Sequence, residues 1–205
     1  MGSAQFPPEH KFYHDSGKQR VISVTGRCNL NCRFCPEPAD RSEGGSSTLP
    51  GAEPSLREII DAACCSSPGY EIRFSGPGEQ TYRLYDILRA GRFLRGKGVR
   101  VVLNTNGLAN RIHNRPVAPD LEDNVDCVNV NLSAANAREY ERICRPGFSN
   151  AFESVIEFIK SARDYVPELN LSVPVGQPEV DIVAMQKLAK DLEVGIHLRK
   201  NASLC

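Results

Sequence analysis

The chain has 205 residues, 40% hydrophobic and 24% charged, the make-up of a soluble globular protein with room for one full core or one stripped-down barrel. Its 25 basic residues balance its 25 acidic ones, so no net field draws the whole surface to nucleic acid or to an acidic membrane. No run reaches the roughly 18 apolar residues of a membrane span, and residues 1–15 lack the apolar stretch of a secretory leader.

Eight cysteines without such a leader point to the cytoplasm, where thiols stay reduced or bind metal; a disulfide framework is the rival reading. Residues 11–14 and 20–25 flank Asp15-Ser16-Gly17, a hairpin turn into the first core strand. Residues 1–18 are therefore read as an N-terminal extension with its hairpin strand. Residues 36–55, with Gly44, Gly45, Ser46, Ser47, Pro50, Gly51 and Pro54, read as a long flexible loop, either a lid or a docking surface. Ser55 caps a helix over 56–65, with Glu58 at the capping-box position.

Strands are predicted over 71–75, 99–104, 125–131, 169–175 and 195–199, and helices over 82–97, 137–144, 151–165 and 181–191. Such alternation calls for parallel strands joined by crossover helices. The chain falls short of the roughly 250 residues of a closed eight-unit barrel. The fold class is thus α/β, a partial (β/α)6 TIM-like barrel. It forms an open three-quarter barrel in one domain over residues 19–200, with a tail at 201–205. Chemistry belongs at the C-terminal ends of its strands.

Cys28, Cys32 and Cys35 follow the first core strand at CxxxCxxC spacing. Three thiolates on one loop can bind three irons of a [4Fe-4S] cluster. Electron-transfer clusters take four cysteines, so one iron stays open to another ligand. Redox thiols are one alternative; zinc, completed by Cys64, Cys65, Cys127 or His113, is another. Phe34 taken alone reads as a core aromatic.

CxxxCxxC with an aromatic before the third cysteine resembles the signature of the radical S-adenosylmethionine (SAM) superfamily. The resemblance implies that the open iron chelates the amino and carboxylate groups of SAM. An electron from the cluster then breaks the sulfonium C–S bond to give a 5′-deoxyadenosyl radical. Three further segments, each at a strand end, resemble the superfamily's SAM-binding elements. Phe74 to Thr81 resembles its GGEP-type motif, with Gly76 and Gly78 allowing close backbone approach and Glu79 accepting from the SAM ammonium. Pro77 stands there in place of a glycine and Gln80 in place of the usual proline. Asn104-Thr105-Asn106-Gly107 resembles the TNG element, in which Asn104 reaches the ribose and Asn106 shares the cofactor site. Asn129, Asn131 and Ser133 alternate onto one strand face. Buried polar groups there need partners, and Asn131 or Ser133 suits a ribose or carboxylate contact. A Gly/Pro turn, an Asn-Gly turn and an exposed edge strand are the plain alternatives for the three segments.

Residues 104–146, with 152–169 and 180–194, are similar to the TatD-associated radical SAM proteins. This implies a functional link to a TatD-type metal-dependent hydrolase and leaves the substrate open. The implied chemistry also needs an electron donor such as flavodoxin or ferredoxin. Arg145, His197 and Arg199 are candidates to hold a substrate carboxylate or phosphate, among Arg111, His113, Arg115, Arg138 and Arg142 nearby. Cys64, Cys65, Cys127 and Cys144 read as packing thiols, and no spacing supports an auxiliary cluster of these with Cys205. Alternative functions are a 7-carboxy-7-deazaguanine synthase-like ring contraction, a glycyl-radical activase and, in a different class, a non-catalytic zinc or iron–sulfur module with four protein ligands.

Overall fold

The computed structural model describes residues 12–35, 52–64 and 69–199. Most of the N-terminal extension, residues 36–51 of the predicted loop, Cys65 and the tail with Cys205 lie outside the described residues.

Strands β1 (Tyr13–Ser16), β2 (Gln19–Ile22), β3 (Glu71–Phe74), β4 (Arg100–Thr105), β5 (Cys127–Asn131), β6 (Glu168–Pro174) and β7 (Gly195–Arg199) form one seven-stranded sheet in chain order. Only β1 runs antiparallel to its neighbour; β2 to β7 are parallel. Helices α1 (Leu56–Ala63), α2 (Leu84–Arg95), α3 (Ala109–His113), α4 (Ala137–Cys144), α5 (Ala151–Ala162) and α6 (Ile182–Asp191) fill the crossovers. Six parallel strands in sequential order are a (β/α)6 barrel left open: the sheet ends at β1 and β7 rather than closing. Among the described residues no helix is long and apolar enough to cross a membrane.

Local chemistry sets the element limits. The capping box at α1 is complete: Glu58 N–H donates to Ser55 Oγ at 3.3 Å, and Ser55 N–H donates to Glu58 Oε2 at 2.8 Å. The hairpin turn sits at Gly17-Lys18, two residues later than expected. Gly17 supplies the positive φ of +62° that a tight two-residue turn requires. Strand β2 stops at Ile22 rather than residue 25, because the Val24 N–H leaves the ladder and donates to Gln80 Oε1 at 2.8 Å. A 3-10 turn (Gln80–Arg83) delays α2, since the Glu79 side chain takes the Thr81 N–H at 2.9 Å. Strand β5 starts at Cys127 because the Val125 N–H is already bonded to Leu121 O. The short helix α3 was not expected.

The two faces of the sheet differ sharply. Ile22, Phe74, Leu103, Val128 and Leu169 form one row across β2 to β6. All are buried in the core beneath the helices, with Ile59, Ile87, Val155 and Phe158 among their company. Each such side chain contributes about 1.5–3 kcal/mol by leaving water. One residue further along, the side chains turn to the inner face, and there the row is polar. Asn170 Nδ2 donates to Asn129 Oδ1 at 3.2 Å, Asn129 Nδ2 to Asn104 Oδ1 at 3.0 Å, and Asn104 Nδ2 to Ser75 Oγ at 2.9 Å. Arg73 Nη1 adds a bond to Asn104 Oδ1 at 3.4 Å. The row ends at Gly195, where a Cβ would stand 2.0 Å from Asn170 Oδ1. This amide ladder satisfies groups whose burial would otherwise be costly, and it fixes the floor on which the site is built.

Candidate cluster and cofactor site

The cysteine loop, residues 26–35, is fastened on three sides. On the first, the Glu79 N–H donates to Arg27 O at 2.7 Å. Gly78, at φ +86°, lies so close that a Cβ there would stand 2.6 Å from Arg27 O and 2.6 Å from the carbonyl carbon of Gly26. On the second, the loop runs along the end of α4. Asn31 N–H donates to Cys144 O at 3.0 Å, Arg33 N–H to Ile143 O at 3.0 Å and Gly147 N–H to Asn29 O at 3.0 Å, and Leu30 bridges Pro146. On the third, Asn106 Nδ2 donates to Asn29 Oδ1 at 2.6 Å. Glu53 braces the loop from behind: it accepts from Thr25 Oγ1, from Arg27 Nε at 3.2 Å and from Arg83 Nη1 at 3.3 Å.

Glu79 is 2% exposed, and its carboxylate is a structural hub. Oε1 accepts from Thr81 N, Thr81 Oγ1 and Thr105 Oγ1 at 2.9, 2.5 and 2.8 Å, and Oε2 accepts from Asn106 N at 2.5 Å. Burial pushes this carboxyl above its ordinary range, against the pull of those donors. A folded-state pKa raised above the unfolded value means that the folded chain binds the extra proton. Glu79's contribution is therefore fullest below the ordinary value of 4.5 and is lost as pH rises from there through the folded value. The stability advantage of wild type over Glu79→Gln is expected to shrink across that rise, read from denaturant midpoints at stepped pH. An advantage that grows with pH would contradict the assignment.

Gln80, which departs from the superfamily pattern, fills a structural place. Besides accepting from Val24 N–H, its Nε2 donates to Pro77 O at 3.0 Å and to Thr25 O at 3.3 Å. It ties the turn carrying Gly78 and Glu79 to the strand that feeds the cysteines.

One cavity is lined by Cys28, Cys32, Cys35 and Phe34, by Gly78, Glu79, Asn104 and Asn106, and by Asn131, Ser133 and Arg199. Leu30, Thr105 and Cys144 complete its wall, and sequence reasoning had not placed them there. Three of the candidates do not line it. Gly76 packs against Ser23, whose Oγ would lie 2.4 Å from an added Cβ. Arg145 ends α4 in the left-handed conformation at φ +47°, with its side chain exposed, and His197 is exposed on β7. Asn104 meets the cavity while its amide is held by the ladder.

Asn131 Oδ1 on this wall and Asn29 Nδ2 in the adjoining cysteine loop are buried with no hydrogen-bond partner among the described residues. Orphaned buried groups are rare and call for an explanation, of which a bound ligand or water is one. Three thiols on one cavity wall, beside an unsatisfied amide oxygen, fit an iron–sulfur cluster with a small donor-bearing molecule next to it. Among the described residues no three His, Cys, Asp or Glu side chains are arranged to share a single metal ion. Cys127 is a different kind of thiol. Burial, with Glu168 adding to it, pushes it up to about 12, so it stays protonated and packs.

The sequence pattern of the radical SAM superfamily matches residues 22–192, the span from β2 to the end of α6. The chain belongs to the radical SAM superfamily. Members of this superfamily are enzymes that bind a [4Fe-4S] cluster and SAM. The GTP 3′,8-cyclase of Corynebacterium glutamicum is 32% identical over 171 residues, covering 80% of this chain and 44% of that protein. Streptococcus suis SuiB, solved bound to S-adenosylmethionine, superposes with a TM-score of 0.56 at 14% identity, covering 87% of this chain and 38% of SuiB. The methyltransferase TsrM of Kitasatospora setae, solved with cobalamin and a [4Fe-4S] cluster, gives 0.55 at 15% identity, over 87% of this chain and 36% of TsrM. The chain thus spans less than half the length of these relatives, and what they share with it in structure is the fold.

Proposed function

We propose that Cys28, Cys32 and Cys35 hold a [4Fe-4S] cluster, that SAM binds beside it, and that the chain cleaves SAM reductively to abstract hydrogen from a substrate. The observation that carries this reading is the meeting of all three cysteines with the ends of β3, β4 and β5 around one cavity that Asn131 also lines, its Oδ1 buried with no hydrogen-bond partner among the described residues. The reduced cluster, when bound, supplies the electron that breaks the sulfonium C–S bond and so yields the 5′-deoxyadenosyl radical. The chain's own residues position the partners. Asn131 Oδ1 accepts from a SAM hydroxyl or ammonium, with Ser133 beside it, and the backbone at Gly78 allows close approach. Glu79 and Asn106 hold the cysteine loop in place, and Phe34 and Leu30 line the wall against water. Arg199 offers a guanidinium to a substrate carboxylate or phosphate; Arg145 and His197 lie outside the cavity and would meet only a substrate that extends to the surface.

A small one-electron donor such as flavodoxin or ferredoxin supplies the reductant, which suits a cytoplasmic setting. The finer kinship with TatD-associated proteins rests on the resemblance over residues 104–146 and proposes a TatD-type hydrolase as functional neighbour. The first test is anaerobic reconstitution with iron and sulfide, followed by SAM and dithionite. Wild type is expected to release 5′-deoxyadenosine and Cys32→Ala to release none; no nucleoside from a fully loaded wild type overturns the reading.

One observation favours a second reading. Cys144, 3% exposed, lines the same cavity as the triplet. As a fourth ligand it would close the cluster to SAM and leave an electron-transfer module. On the first reading Cys144→Ser keeps its iron and still makes 5′-deoxyadenosine; on the second it loses cluster content.

A further inference from the structure

The hydrogen bonds around Asn29 fix which way its amide faces. The Leu108 N–H, which can only donate, is bonded to Asn106 Oδ1 at 3.0 Å. The other end of that amide, Asn106 Nδ2, must therefore donate, and it does so to Asn29 at 2.6 Å. The Asn29 atom that receives it must be the oxygen. Its amino group is thereby turned away, and Nδ2 is buried with no partner among the described residues. The backbone is fixed as well, since Gly147 N–H bonds Asn29 O at 3.0 Å. The chain thus holds a buried N–H donor rigid at the residue next to Cys28. Cys28 and Leu30 on either side, and Asn106, all line the cavity.

We propose that Asn29 is a positioning residue whose Nδ2–H donates to an anionic acceptor of the bound cluster–SAM pair, either a cluster sulfur or the SAM carboxylate. This rests on the proposed function. A donor to sulfur stabilises the more negative, reduced cluster and so raises its potential. A donor to the carboxylate strengthens SAM binding instead. In both cases Asn106 acts through Asn29 by preventing its amide from flipping.

The test compares reconstituted wild type, Asn29→Asp and Asn29→Ala by EPR-monitored redox titration with and without SAM, with iron counted per chain. Asn29→Asp keeps the acceptor for Asn106 and replaces the donor by a charged oxygen; Asn29→Ala removes the donor without adding charge. If the acceptor is sulfur, the midpoint without SAM falls in both variants, further in the aspartate. If it is the carboxylate, the midpoint of Asn29→Ala is unchanged, only the added charge of Asn29→Asp lowers its own, and half-saturation by SAM rises about tenfold or more in both. Unchanged midpoint and unchanged SAM response in both variants overturn the proposal, as does failure of both to load iron while wild type loads, which makes Asn29 a loop brace only. A wild type that takes up no cluster sinks the proposed function itself, and this inference with it.

Discussion

Gly78→Val is expected to leave a folded chain that retains less than about a tenth of the wild-type iron. The reason is what an added side chain would meet. A Cβ at Gly78 would stand 2.6 Å from Arg27 O and 2.6 Å from the carbonyl carbon of Gly26, and both atoms are backbone. No rotamer can relieve that contact. The φ of +86° adds strain of about 1–3 kcal/mol for a β-branched residue. Relief comes only by moving the backbone that leads into Cys28, which also breaks the bond from Glu79 N–H to Arg27 O. Gly107→Ala provides the contrast. It also has a positive φ, of +82°, but the added Cβ meets side-chain methyls of Val155 and Val130 at 2.9 and 3.0 Å, which can shift. It is expected to cost stability and keep most of its iron. Iron and acid-labile sulfide per chain, with far-UV circular dichroism to confirm folding, read both results. Full iron loading in Gly78→Val would show that the loop does not depend on this close approach.

Asn131→Leu is expected to hold the cluster normally and to bind SAM at least about tenfold more weakly. Asn131 Oδ1 is buried with no partner among the described residues, so a ligand that donates to it gains a bond that a leucine cannot replace. Losing such a bond from a charged donor such as the SAM ammonium costs roughly 1.5–3 kcal/mol, which is about tenfold or more in affinity. Its neighbour two residues back separates this effect from general damage. Asn129 spends its amide within the ladder, donating to Asn104 and accepting from Asn170. Asn129→Leu should therefore lower the unfolding midpoint and leave SAM affinity nearer to wild type. Equilibrium binding of SAM to reconstituted protein measures both. Equal losses of affinity in the two variants would assign Asn131 to the scaffold.

The features legible in the sequence were those carried by spacing and period. The triplet Cys28, Cys32 and Cys35 is local to one loop, and the two-residue alternation of Asn129 and Asn131 is set by strand geometry. The strand–helix alternation gave the sequential parallel sheet for the same reason. What could not be read was decided by contacts between distant segments. Strand β2 ends at Ile22 because Gln80, a glutamine 56 residues beyond Val24, captures the Val24 N–H. Gln80 and Pro77 looked like departures from a motif, yet Gln80 proves to be a bridge. Asn29 is an ordinary loop residue until Asn106, 77 residues on, fixes its amide. Cys144 reaches the cavity only because the end of α4 runs along the cysteine loop. Glu53 gave no signal in a segment that read as loop, but it braces Thr25, Arg27 and Arg83. A pairing signal between positions 29 and 106, or 24 and 80, would have exposed these contacts; no periodicity within a window could.

On this reading the three-cysteine cluster is open to SAM within this one cavity. The most direct measurement is the EPR spectrum of the dithionite-reduced, reconstituted chain recorded with and without SAM. A spectrum that changes shape on adding SAM, in wild type and equally in Cys144→Ser, is the expected result. A fully loaded cluster whose spectrum ignores SAM would instead make the chain a closed iron–sulfur module.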